Sequence, residues 1–233
     1  MTAKDLSGVI IPLFFGLILG FFMGSAQSNS GAPEAEFFSE LEDTLIVQAI
    51  CPEIVSGKKA LVIGDSHSAY IYGWQSFLSR WTGLRITNTA VEGKTTGCMK
   101  THISKHIDSS YSYCFIFGGG NDAAGGISPR TIFQNVQEMV DLCNKLGVKP
   151  VVITGSSTEK VLPPNSKWKS YSRIKTEFQN ILVQDLKRAT LVDVRDLIGG
   201  KDCADFLCHM QVSGHKKIAN QIIDDLNLYR IDN

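Results

Sequence analysis

Apolar positions fall into three regimes along this chain. No side chain from Leu6 to Pro33 is charged, and residues 8–24 (GVIIPLFFGLILGFFMG) are almost wholly apolar. Coiled as a helix, the stretch from Leu6 to Ala26 would reach about 31 Å at about 1.5 Å per residue, matching the hydrocarbon layer of a bilayer. The pattern predicts an N-terminal hydrophobic helix within residues 1–26, as a retained membrane anchor or a signal segment. Gly24-Ser25-Ala26 places small residues where a signal could be cleaved. Gly16, Gly20 and Gly24 recur every four residues, a spacing that lets two membrane helices approach closely and self-associate. A core helix of a soluble domain is the alternative, and the long absence of polar positions argues against it.

The second regime, residues 27–57, begins as a polar linker rich in Ser, Gly and Pro. Within it Phe37, Phe38, Leu41, Leu45, Ile46 and Ala49 fall at helical spacing, which predicts a short amphipathic helix with its acids toward solvent.

From Lys58 to Asn233 short apolar runs alternate with helical patterns. Residues 60–63, 85–87, 113–117, 150–154 and 190–194 read as strands; residues 69–81, 131–146, 170–187 and 213–227 read as helices. Strands separated by helices predict a parallel sheet covered on both faces, a three-layer α/β/α sandwich.

Charge sharpens this division. The 233 residues carry 23 basic and 23 acidic side chains, a net charge of zero. That balance gives no electrostatic reason to expect a nucleic-acid partner. One of the basic and seven of the acidic residues precede position 58, however, so the remainder of the chain carries +6. The only Lys or Arg near the hydrophobic segment, Lys4, lies before it, and the positive-inside rule then puts the C-terminal domain outside the cytoplasm. Hydrophobic residues make up 43% of the chain, which supports a packed core and excludes wholesale disorder.

In a parallel sheet of this kind ligands bind beyond the carboxyl ends of the strands. Four polar clusters follow predicted strands: Gly64 to Ser68, Asn88 to Thr96, Gly118 to Asp122, and the stretch around Asp205 and His209. Gly64-Asp65-Ser66-His67-Ser68 lacks the final glycine of a G-x-S-x-G elbow. Gly93-Lys94-Thr95 ends like a phosphate-binding loop, but the glycine that should open the motif is Asn88. The Gly118–Gly120 run lacks dinucleotide spacing.

Together the clusters resemble the SGNH hydrolases, the GDSL-type esterase and acetylesterase superfamily. Ser66 occupies the nucleophile position, Gly93 the oxyanion glycine, Asn121 of Gly119-Gly120-Asn121-Asp122 the oxyanion asparagine, and His209, five residues before Gly214, the histidine. The resemblance runs from about Lys58 to Leu226. It implies an SGNH, flavodoxin-like fold and a serine esterase acting on O-acetyl or short acyl esters, on a glycan or small ester substrate. It implies no cofactor or metal. An O-acyltransferase using the same acyl-enzyme is an alternative, as is a non-catalytic glycan-binding or virion structural module.

The chemistry agrees with the resemblance. A serine hydroxyl needs a base, and histidine titrates in the right range. The tetrahedral oxyanion needs aimed donors, which the backbone N–H groups of Ser66 and Gly93 and the amide of Asn121 would supply. A side chain at 93 would obstruct the substrate. One departure concerns the third member of the triad: the family's aspartate usually stands three residues before the histidine, and here that residue is Phe206. Asp205 is the expected orienting group, with Asp202 or a Ser66–His209 dyad as alternatives.

The other histidines are read as structural or surface residues: His67 as exposed, with contact to substrate as the alternative, the pair His102 and His106 as exposed, and His215 as fixing the start of the last helix. Asp65 and Asp122 are read as turn and capping residues, and Lys94 as solvated, with a place at the cleft rim as the alternative. Of six cysteines, Cys114 and Cys143 fall in predicted core elements. A Cys203–Cys208 bridge would pin the loop around Asp205 in an oxidising compartment, and Cys51 with Cys98 is a second candidate pair. Zinc held by Cys203, Cys208 and His209 would consume the base and lacks a fourth ligand.

Overall fold

Period-two alternation divides each central strand between two cores. In β1 (Lys59–Gly64), Ala60 and Val62 enter one hydrophobic cluster while Leu61 and Ile63 enter the other. The same division recurs in β3 (Tyr113–Phe117) and β4 (Lys149–Ile153), where Phe115 and Val151 face one way and Ile116 and Val152 the other. A strand buried on both faces reads as a continuous apolar run, which is why these strands stand out in the sequence. Each fully buried Val, Ile or Phe contributes roughly 1.5–3 kcal/mol over an exposed one.

The computed structural model describes residues 52–157, 168–205 and 209–231. The predicted hydrophobic helix with Gly16, Gly20 and Gly24, the amphipathic stretch from Phe37 to Ala49, Cys51, Phe206 and Cys208 lie outside the described residues. Among those described, no helix is long and apolar enough to cross a membrane.

The remaining elements are α1 (Ser66–Ala69), α2 (Trp74–Thr82), β2 (Arg85–Asn88), α3 (Thr96–Ile103), α4 (Gly120–Ala124), α5 (Pro129–Lys145), α6 (Lys169–Asp185), β5 (Thr190–Val192), a 3-10 turn at Gly200–Asp202 and α7 (Val212–Asp225). All five strands are parallel, in the order β2-β1-β3-β4-β5. The chain steps one way from β1 to β2 and the other way afterwards. Right-handed crossovers therefore put α2 on one face and α3, α5 and α6 on the other. α7 joins α2, and Leu78, Ile218 and Ile222 share one cluster. Across the sheet, Met99, Ile132, Val136, Phe178 and Leu182 build the second. The strand order reverses between β1 and β3, the place where such sheets open a crevice.

Local signals account for the best-defined helix. The Ser128 side chain accepts the Thr131 N–H at 3.2 Å and Pro129 opens the first turn of α5, so the helix starts where its orphan donors are met.

Three sequence expectations need correction. The helix predicted over residues 69–81 is two helices, because the Gln75 amide donates to the carbonyls of Ser68 and Tyr70 and holds Tyr70–Gly73 in a turn. That turn leaves Tyr70, Ile71 and Tyr72 exposed. Helix α3 has no counterpart among the expected elements: only Thr96, Met99 and Ile103 of its eight residues are buried, too few for a visible apolar stripe. The compact unit also begins before Lys58. Val55 is fully buried, and the Glu53 N–H donates to the Asn227 carbonyl at 2.6 Å while its own carbonyl accepts the Tyr229 N–H at 2.9 Å. The Glu53 carboxylate meets Lys58 at 2.7 Å, the Tyr113 hydroxyl at 2.6 Å and Lys149 at 3.3 Å, all at the amino ends of strands.

Candidate active site

Gly64 ends β1 where the chain turns sharply toward α1. A Cβ there would lie 2.8 Å from the Phe117 carbonyl oxygen and 2.9 Å from the Ser68 Cβ, so only glycine fits between β1 and β3. Asp65 follows, 1% exposed, and caps α1 by accepting the His67 N–H at 3.0 Å. Its carboxylate also meets His67 Nδ1 at 3.1 Å and the Asn121 amide at 3.4 Å. Asp65 is thus a turn and capping residue that also braces two neighbours. Ser66 is the first residue of α1, at the carboxyl edge of the sheet.

His209 comes from the opposite end of the domain. Its Nε2 lies 3.0 Å from Ser66 Oγ, and its Nδ1 lies 2.5 Å from Asp205 Oδ2. Asp205 Oδ1 accepts the His209 backbone N–H at 3.0 Å, and the Ala204 N–H donates to the His209 carbonyl at 2.7 Å. Cys203 is disulfide-bonded, to a partner outside the described residues. Cys203 and Met210 also form an antiparallel bridge that closes the base of this loop.

Asp202, the alternative third member, lies elsewhere. It is 1% exposed and accepts Lys217 Nζ at 2.7 Å and the Gly199 N–H at 3.1 Å. Burial would raise its carboxyl, but these partners hold it below the usual carboxylate range. It anchors the root of the loop and does not touch His209.

Asn121 sits in the first turn of α4, and its amide donates to the Lys94 carbonyl at 3.0 Å. That bond ties it to the turn containing Gly93. A second link is stronger: Asp122, 1% exposed, accepts the Thr96 N–H at 2.8 Å and the Thr96 hydroxyl at 2.6 Å, and the Asn135 amide donates to the same hydroxyl at 3.1 Å. Asp122 thus joins two segments that carry the expected oxyanion donors. Gly93 has φ of +71°, and a Cβ there would meet no protein atom within 4 Å. Its glycine answers a left-handed backbone, with no protein atom in the way of a side chain. Among the described residues, no hydrogen bond joins Gly93 or Asn121 to Ser66.

Of the remaining histidines, His67 departs from the surface reading, whereas His106 is exposed and His215 sits in the first turn of α7 as expected. The His67 side chain is only 12% exposed, with its ring centroid 5.5 Å from that of His209 and 5.4 Å from that of Phe117. His215 Nδ1 accepts the Trp74 N–H at 3.2 Å, joining α7 to α2. Burial, reinforced by His67, pushes it down to about 4, so it is neutral at physiological pH. The His102 and His106 rings lie 4.3 Å apart. Cys98, Cys114 and Cys143 are free thiols, which removes the suggested pairing of Cys98 with Cys51. Among the described residues, no three His, Cys, Asp or Glu side chains converge to hold a metal.

Two residues near the site escaped the sequence reading. Lys175 is 5% exposed, with Nζ 5.6 Å from the Tyr171 ring centroid; burial drives it down to about 8, opposed by the charge of Asp65. Burial, with Asp65 and Asp205, pushes the Tyr171 hydroxyl up to about 12. The available signal was periodicity: Lys175 shares the face of Tyr171, Ile174 and Phe178 in α6.

A parallel α/β/α sandwich that sets a Ser–His–Asp hydrogen-bonded chain beyond its strand ends has the architecture of a serine ester hydrolase. Residues 62–217 match the GDSL-like lipase/acylhydrolase family, and the chain belongs to that family. Its fold is similar to that of a catalytic mutant of an acetylxylan esterase from Geobacillus stearothermophilus, with 16% identity over 74% of this chain and 95% of that one, TM-score 0.61. A lipolytic protein of the G-D-S-L family from Veillonella parvula aligns with 15% identity over 72% of this chain and 97% of that one, TM-score 0.59. TesA aligns with 20% identity over 72% and 98%, TM-score 0.56. No curated protein matches by sequence.

Proposed function

We propose that this chain is a serine esterase that removes O-acetyl or other short acyl groups from a glycan. The observation that carries the reading is the continuous chain from Ser66 Oγ through His209 to Asp205, with contacts of 3.0 and 2.5 Å. In the first half-reaction Ser66 Oγ attacks the ester carbonyl while His209 Nε2 takes its proton. Asp205 holds the Nδ1 proton and stabilises the imidazolium. The oxyanion is met by the backbone N–H groups of Ser66 and Gly93 and by the Asn121 amide. His209 then returns the proton to the departing sugar oxygen as the acyl bond breaks, leaving an acyl-serine. Water, deprotonated by the same imidazole, attacks that acyl group, and carboxylic acid leaves as Ser66 recovers its proton.

Two observations support the substrate class. The exposed Tyr70, Ile71 and Tyr72 follow the helix that bears Ser66, and a surface of rings with hydroxyl edges suits a sugar face. The fold is shared with an acetylxylan esterase. The open site supports hydrolysis over acyl transfer: the His209 and Asp205 side chains are 42% and 39% exposed, so water has access to the acyl-enzyme. A disulfide at Cys203 supports an oxidising, extracytoplasmic location, with residues 1–26 as the tether or export segment and residues 27–57 largely as connector.

A fluorophosphonate probe tests the nucleophile without knowledge of the substrate. The protein should be labelled at Ser66, and Ser66→Ala should abolish both labelling and acetate release from acetylated xylan oligosaccharides. Full esterase activity in Ser66→Ala would overturn the scheme. Protease accessibility of the domain on intact cells tests its side of the membrane.

A further inference from the structure

Beside Ser66 lies a cavity of about 340 Å³ that the esterase mechanism does not use. Its floor is Ile63 and Gly64, the latter two residues before Ser66 and so within about 7 Å of it along the chain. One wall is helix α3, with Cys98 and His102. Lys94 and Lys105 complete the lining. The volume is at the lower end of the range for small-molecule clefts.

The charges in this cavity are of one sign. Among the described residues neither Lys94 nor Lys105 forms an ion pair, whereas Lys100 on the same helix is paired with Glu138 at 3.0 Å. The carboxyl end of α3 accounts for a cation at Lys105 through its dipole. It does not account for Lys94, which precedes the helix. The two ammonium groups act on the same space: burial and the charge of His106 push the His102 imidazole down, a hydrogen bond to the Thr89 backbone opposes them, and the positive charges of Lys105 and Lys94 add to the lowering. A concave wall with like charges and no counter-charge focuses field and draws an anion. Lys94 also connects this cavity to the chemistry, since its carbonyl accepts the Asn121 amide.

We propose that this cavity is a subsite for an anionic oxyacid group, a carboxylate or a phosphate, carried by the glycan whose ester lies over Ser66. The inference rests on the esterase reading for the position of the ester and names the substrate class more closely: an acylated acidic glycan. Lys94 and Lys105 hold the oxyanion by charge-assisted hydrogen bonds, and the adjoining ring presents its acyl ester to Ser66.

Cys98 provides a probe, because it is a free, exposed thiol in the cavity wall. In the full-length Ser66→Ala protein, alkylation of Cys98 by iodoacetamide would be followed by mass spectrometry with added xylose, galacturonate or sugar-phosphate oligomers. An acidic oligomer should slow alkylation about tenfold at concentrations where the neutral one does nothing, and Lys105→Ala should remove most of that protection. Protection by galacturonate alone or by sugar phosphate alone identifies the group. Equal protection by neutral and acidic oligomers, or none by any, overturns the inference. In the active protein, Lys105→Ala should lower kcat/KM for an acetylated acidic oligosaccharide about tenfold more than for acetylated xylan oligosaccharides. Because the protection assay needs no turnover, it gives its answer even if Ser66 forms no acyl-enzyme. Fluorophosphonate labelling without anion protection would sink the subsite alone.

Discussion

Asp205 grips His209 at two points, its Oδ2 lying 2.5 Å from the ring Nδ1 and its Oδ1 accepting the backbone N–H at 3.0 Å. A carboxylate that fixes ring and backbone together leaves the imidazole one orientation, with Nε2 toward Ser66. His209→Ala should therefore lower kcat on p-nitrophenyl acetate by about ten-thousandfold or more. Asp205→Asn should cost on the order of a hundredfold to ten-thousandfold, through the wrong ring tautomer. An Asp205→Asn enzyme within tenfold of the native rate would mean that Ser66 and His209 work as a dyad.

Asp122 accepts both the Thr96 N–H and the Thr96 hydroxyl in the buried joint between the Gly93 turn and α4. Asp122→Ala strands both donors and should cost about 3 kcal/mol in urea unfolding. It should also lower kcat more than it raises KM, because Gly93 and Asn121 lose their common reference. A kinetically normal variant that is merely less stable would show that the oxyanion donors are fixed by other contacts.

Lys175 should weaken the fold at neutral pH. Its folded pKa of about 8 lies below the unfolded value of about 10.4, so the unfolded chain holds a proton that the folded chain has released between those limits. Stability from this group thus rises as pH climbs from about 8 to 10.5 and is flat and lowest below. Lys175→Met should stabilise the protein by about 1–3 kcal/mol at pH 7, and the advantage should shrink by pH 10. Destabilisation at pH 7 would show that the ammonium is needed, with Asp65 as its counter-charge.

Acid should act in two windows. His215, held down to about 4, refuses a proton that the unfolded chain accepts from about pH 6.5, so stability falls across that range. For Glu53, burial opposes ionisation, but Lys58, Tyr113 and Lys149 hold its carboxyl at about 2, so its contribution is lost between about pH 4.5 and 2. Denaturant midpoints against pH should lose the upper step in His215→Asn and the lower step in Glu53→Gln. A single step in the native protein, unchanged by either substitution, would contradict both assignments.

The parts of the molecule legible in its sequence are those whose signal is contiguous. Strands buried on both faces write their burial as unbroken apolar runs, as in Cys114 to Phe117, and the blocks around Ser66 and Asn121 are polar interruptions directly after such runs. Asp205 and Asp202 could not be separated this way. What sets them apart is Lys217, which lies on α7 and claims Asp202, a contact that depends on how the loop folds back. The position of His67 was hidden for the same reason: a residue one place from Ser66 looks exposed until the turn at Gly64 tucks its ring against Phe117 and beside His209. Helix α3 went unseen because only three of its eight residues are buried, and Lys175 because a charged residue on an apolar face is normally read as a solvated edge.

The backbone clasp of Glu53 with Asn227 and Tyr229 has a geometric consequence for access. It lies among the amino ends of the strands, while Ser66 and His209 stand past the carboxyl ends, about 20 Å away along a six-residue strand. Both ends of the domain therefore emerge together from its rear. The clasp thus stands on the side of the sheet away from Ser66 and His209, and a support joined to the described domain before Glu53 or after Tyr229 should leave turnover untouched.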